Sequence, residues 1–260
     1  MNDRQPQMLS VGDAYGPRQL AWLRSAATGV GADQPGLLWL PGFNSVMTSS
    51  KASALAAWAA RTGRELTRFD YSGHGASSGR FEAGTIGQWL ADCRAVYARL
   101  TAGPQIVVGS SMGGYLALLL ARELRGSEAS RLAGLVLIAP AWNMTERLMW
   151  AGMGPEARAE LERAGVWHRP SEHGEPYPIT RALIEEGRKH LIDIDDLRLG
   201  CRLRILHGVM DADVPLQGSA DLIARQVGAD ARLVAVPDGD HRLARDADVA
   251  RLIGEIEGLA

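Results

Sequence analysis

Apolar residues along this chain fall into two alternating kinds of run. Short leucine-rich or β-branched stretches read as strands buried on both faces: LLWL at 37–40, ending at Pro41-Gly42, QIVVGS at 105–110 and LAGLVLIAPA at 132–141. ELTRFDYSG at 65–73, with its exit loop, LRILHG at 203–208 and ARLVAVP at 231–237 belong with them. Between the strands the spacing turns helical. KASALAAWAAR at 51–61 is alanine-rich, with Gly63 as its stop. TIGQWLADCRAVYARL at 85–100 puts apolar residues at 86, 89, 90, 93, 96, 97 and 100, one face of an amphipathic helix. Further helices are expected at 112–125, near 216–227 and around 246–258. This alternation predicts βαβ units and an α/β fold, with a mostly parallel central sheet flanked by helices.

One segment interrupts the pattern. Residues 142–201 carry helices, prolines and several aromatics but no convincing strand. Sixty residues are too many for an ordinary connection between parallel strands. The segment therefore reads as a helical cap over the end of the sheet where the strand C-termini lie, the end at which open α/β sheets bind ligands. The domain reading is a core of 1–141 and 202–260 with a cap or lid insertion at 142–201.

Composition narrows the function without deciding it. The 260 residues are 46% apolar and 22% charged, ordinary proportions for a soluble globular protein. A net charge of −2 offers no basic field to draw in nucleic acid or an anionic membrane. Cys93 and Cys201 build no disulfide framework and read as buried thiols. The opening MNDRQPQMLS lacks the apolar stretch of a secretory signal, and YLALLLA at 115–121 is too short to span a bilayer. A cytoplasmic location is the expectation.

The chemistry is concentrated at Gly109-Ser110-Ser111-Met112-Gly113. This is a G-x-S-x-G pattern set between a strand and a helix, the context that lifts a strained serine hydroxyl above the sheet. Ser111 is the expected nucleophile. Ser110, the rival hydroxyl, stands off the flanking-glycine spacing. A serine needs a base within reach, and His241, in the loop PDGDH after the last strand, occupies the place that the chain order Ser, Asp, His requires. His168, His173 and His190 lie in the insertion and read as polar surface or packing. His74 sits in a glycine-rich loop, and His207 ends a strand, where a hydrogen bond to the following turn is expected. The acid comes from LHGVMDADVP at 206–215: the D-x-x-V-P pattern favours Asp211, with Asp213 the alternative.

Acyl transfer also needs donors for the oxyanion. Met112 N–H is one candidate and Phe43 N–H the other, with Gly42 allowing a close approach of the backbone. The run Asp70-Tyr71-Ser72-Gly73-His74-Gly75-Ala76-Ser77 has the wrong glycine spacing for a dinucleotide site and reads as shaping the loop beside that hole. Metal-ligand spacings such as H-E-x-x-H or C-x-x-C do not occur, and no cofactor is implied.

These motifs resemble the α/β-hydrolases over nearly the whole chain. LPGFNSVMTSSKA at 40–52, FDYSGHGASSG at 69–79, GPQIVVGSSMGGYLALLLAR at 103–122, LRILHGVMDADVP at 203–215 and DHR at 240–242 look like one branch in particular. That branch is the one of the mitochondrial palmitoyl-protein thioesterase and acyl-glucuronide esterase, with its bacterial relatives. The phrase GVWHRPSEHGEPYPIT at 165–180 and the S-x-x-x-x-S-S-K-A run point the same way. The resemblance implies the α/β-hydrolase fold with a cap inserted after the sixth strand. It carries the catalytic roles onto Ser111, Asp211 and His241, and implies hydrolysis of acyl thioesters or esters on a small-molecule or acylated-protein substrate. For the acyl pocket, Trp142, Leu148, Met149, Trp150 and Met153 are the candidate lining, together with Gly42. A general carboxylesterase or C–C bond hydrolase on the same three residues is the rival enzyme. A ligand-binding protein without turnover is the rival of another class.

Overall fold

The computed structural model describes residues 5–124, 126–170, 176–226 and 230–260. His173, and Arg125 and Val227 at the ends of two expected helices, lie outside the described residues.

In chain order the elements are β1 (Gln7–Asp13), β2 (Gly16–Ser25), β3 (Gly36–Leu40), α1 (Ser50–Thr62), β4 (Leu66–Phe69), α2 (Ile86–Leu100) and β5 (Gln105–Ser110). There follow α3 (Met112–Glu123), the short α4 (Gly126–Ser130), β6 (Leu132–Ile138), a π-helix at Thr145–Trp150, α5 (Pro155–Ala164), β7 (Val166–Arg169) and β8 (Tyr177–Thr180). The chain ends with α6 (Arg181–Gly187), β9 (Arg202–Gly208), α7 (Leu216–Arg225), β10 (Ala231–Val236) and α8 (Asp246–Glu257).

Eight strands form one sheet in the order β1-β2-β4-β3-β5-β6-β9-β10. The pairs β1–β2 and β2–β4 are antiparallel, and the rest are parallel. The central parallel strands β3, β5 and β6 are largely apolar because helices cover both faces. Strand periodicity sends Leu38, Leu40, Val107, Leu135 and Leu137 to one core. It sends Leu37, Trp39, Ile106, Val108, Val136 and Ile138 to the other. The first core is closed by α2, α3 and α7, the second by α1 and α8. Gly63 ends α1 in a left-handed conformation, φ 71°, as a glycine stop should.

The antiparallel edge has no counterpart in the hydrophobic pattern, which assigns nothing before residue 37. Only alternate residues of β1 are buried, Leu9 and Val11, so the apolar signal is thin. The hairpin is held by an internal ion pair instead. Arg18 Nε lies 2.6 Å from Asp92 on α2, a carboxylate with no exposure, and its guanidinium also reaches Asp13. The other Asp92 oxygen accepts the Ser72 N–H at 2.8 Å.

The segment 142–201 needs a correction. It is not free of strands, because β7 and β8 pair into an antiparallel hairpin between α5 and α6. Each strand is only four residues long and neither alternates cleanly between buried and exposed, so no period-two signal marks it. Asn143 pins the segment to itself, exchanging hydrogen bonds with the Ile192 backbone at 2.7 and 2.9 Å.

Candidate active site

The turn from β5 into α3 explains its own sequence. A Cβ on Gly109 would overlap the Gly113 carbonyl, and one on Gly113 would overlap the Leu40 carbonyl, so both flanking positions must be glycine. Between them Ser111 takes φ 53° and ψ −115°. Such a backbone is strained by about 1–3 kcal/mol and persists only where its surroundings hold it. Here Ser111 N–H donates to Ile138 O at 2.8 Å. The Ser111 carbonyl accepts from Gly114, Tyr115 and Ala141 at 2.9, 3.2 and 3.1 Å.

The Ser111 hydroxyl lies 3.0 Å from His241 Nε2, and His241 Nδ1 lies 2.8 Å from Asp211 Oδ2. An ionised carboxylate only accepts, so Nδ1 carries the imidazole proton and Nε2 faces the hydroxyl as an acceptor. The Asp211 side chain is fully buried. Its Oδ1 accepts the N–H groups of Asp213 and Val214 at 2.9 and 2.8 Å. Burial alone would raise its pKa. Hydrogen bonds from His207 and His241 and the attraction of the latter ring override it, holding the carboxyl well below the usual carboxylate range. Asp213 is exposed and keeps its carboxylate on the cavity rim, while its backbone serves Asp211. The structure thus brings Asp211, rather than Asp213, to the base. Asp211, Asp213 and His241 each offer a ligand atom within 4.8 Å of the others. A cation placed there would compete with the Asp211–His241 hydrogen bond.

His207 was expected to fix the turn after β9, and its Nε2–H does donate to Val214 O at 2.9 Å. Its proximity to Asp211, 3.3 Å from Nε2 to Oδ2, is not legible from spacing alone. His168 and His190 stay away from the serine: His190 pairs with Glu186 at 2.6 Å, and His168 sits on β7.

Met112 opens α3, so its N–H has no carbonyl one turn behind it within the helix. Phe43 lines the cavity over Ser111 on the loop after β3. Its ring is gripped by Phe81, Trp89 and Tyr177 at centroid distances of 5.0, 5.9 and 5.7 Å. Asp70 braces the far end of that loop: its carboxylate accepts Met47 N–H at 2.7 Å and Ala76 N–H at 2.9 Å. That is the shaping role expected of the Asp70–Ser77 run. A Cβ on Gly42 would meet Ser110 O at 3.4 Å and Ser111 Cβ at 3.6 Å, ordinary contact distances, so steric overlap does not demand glycine there.

The cavity over Ser111 measures about 390 Å³. Gly42, Leu148 and Met149 line it as expected, joined by Met144, Ala141 and Val214. Trp142, Trp150 and Met153 do not, which corrects the expected pocket. Trp142 Nε1–H donates to Gly218 O at 3.1 Å, and the Arg147 guanidinium covers its ring at 3.9 Å. Trp150 lies under the guanidiniums of Arg158 and Arg188, and Met153 is buried in the core. That expectation rested on residue type along the stretch after β6, and residue type does not say which side chains of the π-helix at Thr145–Trp150 and its flanks meet the cavity. The rim is polar, with Lys51, Arg169, Tyr177, Asp213 and Arg242. None of these rim residues except Asp213 was singled out individually from sequence. Lys51 does stand in the S-S-K-A run and Tyr177 in the 165–180 phrase.

Residues 37–182 match the family model described as serine aminopeptidase, S33. The chain belongs to this family of α/β-hydrolases. It is 34% identical over 227 residues to the mitochondrial palmitoyl-protein thioesterase ABHD10 of Pongo abelii, covering 86% of this chain and 72% of that protein. Among solved structures, a putative hydrolase from Agrobacterium vitis S4 superposes with a TM-score of 0.92 at 39% identity over 98% of both chains. Mouse α/β-hydrolase domain-containing protein 10 superposes at 0.81 and 30% identity, over 97% of this chain and 98% of that one. This α/β-hydrolase is accordingly an enzyme that hydrolyses its substrate. No helix among its described residues is long and apolar enough to cross a membrane.

Proposed function

We propose that this α/β-hydrolase cleaves thioesters or carboxylic esters of acyl chains through an acyl-enzyme on Ser111. The observation that carries the reading is the continuous row Ser111 Oγ, His241 Nε2, His241 Nδ1 and Asp211 Oδ2, linked at 3.0 and 2.8 Å. The naming of ABHD10 as a palmitoyl-protein thioesterase supports the substrate class.

Ser111 attacks the acyl carbonyl as His241 takes its proton at Nε2. Asp211, already ionised, stabilises the imidazolium. The oxyanion is received by the Met112 and Phe43 N–H groups. His241 then returns the proton to the leaving group, water enters, and the same base activates it to release the acid. The segment 142–201 acts as a cap. Met144, Leu148 and Met149 on its first helix, with Val214 opposite, receive the acyl chain, while the polar rim faces the leaving group.

A thiolate leaves with little help, whereas an amine must be protonated as its bond breaks, so thioesters and activated esters should outrun amides. Each methylene buried in the cavity contributes about 0.8 kcal/mol, about fourfold in kcat/KM until the space is filled. The test is a matched series of acetyl and octanoyl thioesters, esters and anilides, run beside Ser111→Ala. We expect the variant to fold and to lose on the order of 10⁴ to 10⁶ in kcat. Turnover by Ser111→Ala within tenfold of the native rate, anilides cleaved as fast as thioesters, or no gain from acetyl to octanoyl would each overturn the corresponding part.

A further inference from the structure

Building on the roles given above to Ser111 and His241, we propose that Lys51 is a positioning residue, a strut that holds the base against the nucleophile. Its ammonium ties the first turn of α1, and with it the loop that carries Phe43, to the loop that carries His241. Nζ donates to the carbonyl oxygen of Arg242, the residue immediately after His241. Lys51, His241 and Arg242 all border the cavity that contains Ser111.

The place is a poor one for a lysine on local grounds. A cation in the first turn of a helix faces the positive end of its dipole, and no acidic residue stands in that turn of α1. Burial adds a second penalty and, with the nearby Arg242, pulls the ammonium down to about 8. Asp240 and Asp248 counter this from a distance, but no carboxylate among the described residues pairs with Nζ directly. His241, Asp213 and Arg169 share the cavity with it. Local preferences broken beside a reacting centre are the mark of a residue kept for the reaction.

The His241 loop has a matching need. Asp240 Oδ1 accepts the N–H groups of Arg242 and Leu243 at 3.1 and 3.0 Å, and Leu243 sits at φ 40° in the left-handed region. That turn secures the amides that follow the base. The Arg242 carbonyl is secured by Lys51. Without it the loop keeps its own turn and its ties to the turn after β9, where Met210 N–H donates to Gly239 O at 2.9 Å and Asp211 holds His241, but loses its tie to α1, and the imidazole loses its register toward Ser111 Oγ.

Lys51→Met keeps the apolar stem and removes the donor. It should lower kcat about tenfold to a hundredfold, the range for losing a charged hydrogen bond, with KM within about twofold. The rate at which a fluorophosphonate labels Ser111 should fall in parallel. Lys51→Arg keeps a permanently charged donor and should recover most of the activity. The native enzyme should lose activity as pH rises through about 8, where the amine discharges and its hydrogen bond weakens. Lys51→Arg should lack that limb. Native kcat and labelling in Lys51→Met, no recovery in Lys51→Arg, or an alkaline limb unchanged in Lys51→Arg would each overturn the proposal. Should Lys51→Met not fold, the comparison of alkaline limbs decides by itself. Ser111→Ala, labelled alongside, separates the two readings. Labelling that survives there sinks the nucleophile, whereas labelling lost there but normal in Lys51→Met sinks only the strut.

Discussion

His207 Nε2 stands 3.3 Å from Asp211 Oδ2 while donating to Val214 O at 2.9 Å, so two imidazoles, not one, face the carboxylate beside the serine. His207 is wholly buried, and its Nδ1 accepts the Ser219 hydroxyl at 2.7 Å. The Nε2 proton is thus shared between the turn and the acid. It supports Asp211 from behind as the Asp213 and Val214 amides do from the other oxygen.

Replacing that ring by one without nitrogens is the direct check. His207→Phe should lower kcat about tenfold and stability by about 1–3 kcal/mol, because Val214 O and the Ser219 hydroxyl lose their partner in a dry site. Steady-state kinetics on folded protein, with a thermal melt on the same sample, reads both. A folded variant with the native kcat would remove His207 from the reaction.

His74 makes a prediction about pH and stability. Its ring packs edge-on against Tyr71, Phe81 and Trp89 at 5.5, 5.0 and 5.3 Å, and burial pulls its pKa down to about 4. In the unfolded chain a histidine titrates near 6.5, so the unfolded state binds the proton first. Stability is thus complete above pH ~6.5 and drains away as pH falls toward ~4, by about 3 kcal/mol in all. His74→Phe keeps a ring in the cluster and removes the proton site. Its melting temperature should fall less steeply than that of the native protein between those two pH values, and parallel curves would contradict the assignment.

The cap prediction now has an internal control. Leu148→Ala or Met149→Ala enlarges the cavity over Ser111 and should shift the preferred acyl chain to longer lengths. Trp150→Ala lies outside that lining and should lower stability by about 3–5 kcal/mol or less while leaving the chain-length profile unchanged. A profile moved by Trp150 and untouched at 148 and 149 would reverse the corrected lining.

How much of this was legible beforehand depends on the range of the cause. The parallel strands and the helices between them follow from local periodicity, and the elbow from two glycines that steric overlap demands at 109 and 113. The order Ser111, Asp211, His241 follows from where strands end. The N-terminal hairpin escaped because Leu9 and Val11 bury too little apolar surface to mark a strand, while Arg18 and Asp92, 74 residues apart, hold it in place. The β7–β8 hairpin escaped because four-residue strands carry no measurable alternation.

The sequence by itself determined the parallel strands of the sheet, the turn that lifts Ser111, and Ser111 and His241 above it, with Asp211 favoured over Asp213 as the acid. Each of these is dictated by residues within a few positions of one another or by a strand's end. Only the tertiary structure decided which cap side chains face the cavity, that His207 leans on Asp211, and that Lys51 reaches a carbonyl 191 residues away. Those pairings depend on how whole elements dock, and on a helix that leaves its usual period at Thr145–Trp150. Spacing along a chain records neither, because the free energy that selects them comes from burying and satisfying polar groups across the core.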